Sequence, residues 1–97
     1  MKPDAIIKVC FLAAEKGGRK TAVEGDSYAC PIFVKNEGFD CRLLLDGRRL
    51  ELGKTYEVPI RFLYSELAIP KLAVGAEIYL WEGRKVAVGE VVAIIAD

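Results

Sequence analysis

The 97-residue chain carries 14 basic and 14 acidic side chains, three cysteines, no histidine and 53% apolar residues. That length sets a single domain, residues 1–97, able to bury a core without metals or disulfides. Zero net charge argues against an autonomous nucleic-acid binder, since such proteins draw much of their affinity from a basic surplus, and no apolar run approaches the ~20 residues of a membrane-spanning helix.

The opening MKPDAIIKV has one lysine and then an acid, and Lys8 breaks the apolar run that follows. No signal peptide is expected, and the expected location is cytoplasmic. Cys10, Cys30 and Cys41 are odd in number, and their spacings of 20 and 11 residues fit neither a disulfide framework nor a zinc pattern. They are expected as reduced thiols that pack as small apolar groups.

Residues 5–14 alternate, with Ile7, Val9, Phe11 and Ala13 on one face and Lys8, Cys10 and Leu12 on the other, which is a strand pattern. The run EKGGRK is a polar loop, its glycine pair giving the backbone freedom. Residues 28–34 form a second strand with Cys30, Ile32 and Val34 inward, and Pro31 belongs at an edge or bulge where no ladder donor is needed. A turn is expected over residues 36–40, then a strand over 39–45. Asp46-Gly47 signals a two-residue hairpin that returns through residues 48–52.

Gly53-Lys54 turns the chain into a strand over residues 55–64, with Tyr56, Val58, Ile60 and Phe62 on one face. Residues 65–72 have room for one helical turn, but Pro70 argues for an extended connection. Residues 77–82 and 86–95 form the last hairpin, turning at Gly83. About seven short strands, with turns every 8–12 residues, spell an all-β sandwich or small antiparallel β-barrel. Closure into a barrel removes the exposed edges and is the expected solution.

The chemistry of catalysis is hard to find. Lack of histidine removes the commonest general base and the commonest metal ligand. GGRKT has glycines and a Lys-Thr pair, but neither the spacing nor the strand-to-helix context of a phosphate loop. Cys10 shares a strand face with Lys8, which raises the idea of an activated thiol; an unreactive strand thiol is the simpler reading. Asp46, Glu51 and Glu57 look like solvated faces. The chain is expected not to be an enzyme, and neither cofactor, metal nor nucleotide is expected.

Three stretches carry a resemblance. EKGGRKT at residues 15–21 closes a first strand, GDSYACPIF spans residues 25–33, and WEGRKVAVGEVV spans residues 81–92. Together they resemble the C-terminal (third) β-barrel domain of elongation factor Tu, over nearly the whole chain. Leu52-Gly53-Lys54 is similar to the family's Pro-Gly-Asp before a long strand, and Ile69-Pro70 to its turn leading into Leu72, Val74 and Gly75. In the family this barrel packs on a GTPase domain, contacts the T-stem backbone of aminoacyl-tRNA and helps bind the nucleotide-exchange factor. The resemblance thus implies a stand-alone barrel without the GTPase chemistry, translation-factor-like in kind. Several polar positions differ. The family's leading Arg of the last element is Trp81 here, its Thr is Val86, and its last Gly is Glu90. A phosphate contact wants Arg, Lys, Thr or an exposed amide, so the implied tRNA contact is weakened.

Alternation along the last hairpin points instead to a protein contact. With Ile78 and Leu80 inward, Tyr79 and Trp81 face out; with Val91, Ala93 and Ile95 inward, Val92 and Ile94 face out. Tyr79, Trp81, Val92 and Ile94 are then expected to share one outer apolar face, the signature of a protein partner or a homodimer. The alternative is an RNA-binding module whose basic patch combines Arg19 and Lys20 on one loop with Arg84 and Lys85 on another.

Overall fold

Each alternating strand has one apolar face, and that face must find cover. The computed structural model, which describes residues 2–95, shows how. In chain order the strands are β1 (Ala5–Phe11), β2 (Val23–Glu24), β3 (Ser27–Val34), β4 (Glu37–Leu44), β5 (Arg49–Leu50), β6 (Thr55–Phe62), β7 (Glu77–Trp81) and β8 (Lys85–Ile94), with a single-turn helix α1 (Ser65–Ala68) after β6. Among the described residues six strands close an antiparallel barrel in the order β1-β6-β4-β3-β7-β8, while β2 and β5 pair apart from it. The fold is the small all-β barrel that the alternation implies.

Most of the residues expected inward are buried. Ile7, Val9 and Phe11 of β1, Ile32 of β3, Leu43 of β4, Val58 and Ile60 of β6, and Leu80 of β7 are fully buried. Cys30 and Cys41 join them, and among the described residues no charged or polar side chain is buried. Burying one such aliphatic side chain stabilises the fold by roughly 1.5–3 kcal/mol, so closure is driven from inside. Two caps finish the job. Val23, Leu45 and Leu50, from β2, β5 and the turn between β4 and β5, are buried at the end where β1 finishes, and there the Gly53 amide donates to the Phe11 carbonyl at 2.7 Å. Ala68 and Leu72 are buried at the end where β6 finishes.

Both strand prolines sit where a ladder stops. The β3–β7 ladder covers only Ile32 to Val34, and Pro31 lies just beyond it. The β4–β6 ladder stops at Leu43–Ile60, and Pro59 is the next residue. A missing amide costs nothing there.

Four local expectations are corrected. The turn expected over residues 36–40 is the two-residue Lys35-Asn36, both with positive φ (52° and 66°), so β4 begins already at Glu37. This is the hairpin turn whose twist matches the flanking strands. Asp46-Gly47 does turn, closed by Arg48 N–H donating to Leu45 C=O at 3.0 Å. The returning chain then pairs with β2 rather than β4, Val23 facing Leu50. Residues 65–72 are not extended: α1 runs straight into a 3₁₀ turn, Ile69–Lys71, with Pro70 in its opening turn, where no intrahelical donor is needed. The strand beginning at Ala5 ends at Phe11, and Ala14–Lys16 is a 3₁₀ turn.

Glycine at position 89 is demanded by contact. It pairs with Val9 of β1 and Ile78 of β7, and a Cβ there would lie 1.8 Å from the Lys8 carbonyl oxygen. Only glycine lets β1 and β8 close to this distance.

Candidate functional site

The outer surface of β7 is where apolar mass is left over. Ile78 and Leu80 are buried, so Tyr79 and Trp81 must point away from the core. Sheet order then adds a residue from far away in sequence. β3 runs beside β7 with Phe33 opposite Tyr79, and Phe33 points out because Ile32 and Val34 point in. The Phe33 and Tyr79 rings stack at 5.0 Å with 1° between their planes. Trp81 meets both edge-on, 6.1 Å from Phe33 and 6.4 Å from Tyr79. Trp81 remains 40% exposed. Val88 of β8, opposite Tyr79, is 39% exposed and extends the surface.

Charge rims this cluster. The Lys85 ammonium sits 4.5 Å from the centre of the Tyr79 ring, a cation–π contact worth about 0.5–1 kcal/mol at an exposed site. An open groove of about 610 Å³ runs alongside, with Phe33, Lys35, Tyr79, Lys85 and Val88 among its walls. On the other side Phe33 lies over Gly38, where a Cβ would come within 2.9 Å of the ring.

Of the four hairpin residues expected on this face, Tyr79 and Trp81 are on it. Ile94 is not, and the reason is a bulge. β8 pairs Ala93 with Ile6 but Val91 with Ile7, leaving Val92 without a partner in β1. An extra residue inverts the alternation beyond it. Ile94 therefore lies opposite Ala5 and packs against the core, and Val92 is half-buried at the bulge. A second irregularity near the tip buries both Val86 and Ala87, which brings Lys85 opposite Trp81. Phe33 and Val88 take the places expected for Val92 and Ile94. The alternation of β3 already pointed Phe33 outward; the neighbour it would meet was not legible.

The two basic loops do meet. Arg19 donates to Glu82 at 2.6 Å, tying the loop after β1 to the tip of the β7–β8 hairpin. That same contact spends the Arg19 charge. Arg19 also donates to the Tyr28 hydroxyl at 3.3 Å and the Thr21 carbonyl at 3.1 Å. Lys20 and Arg84 remain exposed, and Lys85 is exposed over Tyr79. The basic patch is thus split by a carboxylate.

A second apolar surface escaped the sequence reading. Leu63, Tyr64 and Leu67 are 66%, 56% and 60% exposed around α1. Leu63 and Tyr64 read as the tail of the β6 strand, but the strand stops at Phe62 and the chain bends away.

Cys41 donates to the Cys30 carbonyl at 3.3 Å inside the barrel. Its pKa is pushed far up, first by hydrogen bonding with Cys30, then by burial, then by the nearby Cys30 and Asp40. A thiol so held stays protonated and inert. Lys8, the partner considered for Cys10, lies opposite Glu57 and Glu90 on the flanking strands. Among the described residues no group of three or more potential ligands could hold a metal ion, and no helix is long and apolar enough to cross a membrane. No protein-family model matches the chain, and no curated protein matches its sequence.

Proposed function

We propose that this chain is a non-catalytic binding module, akin to the elongation factor Tu C-terminal barrel, that associates with protein through the outer face of β7, in the first instance with a second copy of itself. The observation that carries the reading is the cluster of Phe33, Tyr79 and Trp81 outside a barrel whose core is already full. Aromatic side chains so placed are the usual anchors of protein interfaces. Zero net charge lets two copies approach without long-range repulsion. The closed antiparallel barrel supports the kinship, and three free thiols suit a reducing compartment such as the cytoplasm.

RNA is the second reading, favoured by the meeting of the two basic loops at Glu82. The aromatic cluster argues against it. A base needs a free ring face, and Tyr79 has Phe33 on one face and Lys85 over a face. Trp81 is the chain's one tryptophan, so its fluorescence reports on this site alone. Emission is expected to shift to shorter wavelength as protein concentration rises, equally at low and high salt. Emission that ignores concentration but responds to single-stranded RNA, and only at low salt, would instead favour the RNA reading.

A further inference from the structure

We infer a second, anion-reading site on the opposite flank of β3 and β4, built to receive a carboxylate of an acidic peptide segment. It rests on residues separate from the β7 face. Arg42 of β4 lies directly opposite Arg61 of β6, and Ala29 of β3 lies opposite Arg42 on the other side. Like charges placed face to face across a ladder repel. No salt bridge to a described carboxylate relieves either one. Arg61 donates to the Lys2 carbonyl at 2.6 Å, which fixes its guanidinium without neutralising it. Arg42 is exposed, with no hydrogen-bond or ion-pair partner among the described residues.

Arg42 and Arg61 both line a groove of about 560 Å³. Its remaining surface is mostly apolar: Ala29, Pro31 and the highly exposed Leu63. Asp40 lines it too, one row further along the strands, and forms no ion pair with either arginine. This distribution selects the occupant. A carboxylate can accept hydrogen bonds from both planar forks and offsets the repulsion between them. An apolar neighbour in the same segment then covers Leu63. A nucleic acid fits less well, because the groove offers no exposed ring for stacking (Phe62 is 4% exposed). A run of phosphates would also pass over Asp40.

Selection of short random peptides displayed on phage, against the purified protein, tests this. The selected peptides are expected to be enriched in Asp and Glu beside an apolar residue. Synthetic copies should bind at least about tenfold more weakly to Arg42→Glu and to Arg42→Gln. Trp81→Ala should leave that affinity unchanged, which separates this site from the β7 face. Failure to select any peptide, absence of acidic enrichment, or equal binding to folded Arg42 variants each overturns the inference. So does polyuridylate binding that requires Arg42 while acidic peptides do not bind.

Discussion

Single residues hold this barrel shut, and two of them give sharp expectations. At Gly89 a methyl group would sit 1.8 Å from the Lys8 carbonyl, a backbone atom that cannot turn aside. Gly89→Ala is expected to cost about 3 kcal/mol, the upper range for overpacking, read as a lowered denaturation midpoint. Cys41 makes stability depend on pH. Its folded pKa is raised, so below the free thiol's value of about 8.5 both folded and unfolded chains keep the proton. Above that, the unfolded chain releases it while the folded chain does not. The unfolded state then binds fewer protons, and stability falls with rising pH by up to about 1.4 kcal/mol per unit from this group. Denaturant titrations at pH 7 and pH 10 should show a steeper loss for the wild type than for Cys41→Val.

At the level of elements, what was legible depended on whether a pattern was local. The inward sets of β1, β3 and β6 follow from alternation alone: Ile7, Val9, Phe11, Cys30, Ile32, Val34, Val58, Ile60 and Phe62 are buried, while Tyr56 is half-buried and Ala13 lies beyond the end of β1. The outward pair Tyr79 and Trp81 was legible for the same reason. Ile94 was not, because one unpaired residue in β8 inverts everything after it, and a bulge is a property of the pairing with β1. Ile94→Ala is therefore expected to lower stability by roughly 1–2 kcal/mol, as a partly buried aliphatic truncation does, and to leave association untouched. Phe33 shows the complementary failure: its partner Tyr79 lies 46 positions along the chain and meets it only through sheet order. Asp46-Gly47 signals its turn locally, but the partner of the returning strand is set by the topology: β5 pairs with β2, outside the barrel, rather than with β4. Pro70 argues for an extended connection, but it stands where a 3₁₀ turn begins.

For the whole molecule, closure divides the apolar residues into those that fill the barrel and those left outside it. The first group makes a core in which, among the described residues, no charge is buried. The second group gathers Phe33, Tyr79 and Trp81 on one flank and Leu63, Tyr64 and Leu67 around α1. Since Trp81 is 40% exposed, Trp81→Ala should cost about 1 kcal/mol or less of fold stability while removing the centre of the contact. The most direct measurement is sedimentation of the wild type and Trp81→Ala across a concentration series, at low and high salt. The expected result is a wild-type dimer that persists in high salt and a variant that stays folded and monomeric. A wild type that is monomeric at every concentration, or a dimer that Trp81→Ala leaves intact, would contradict association through this face.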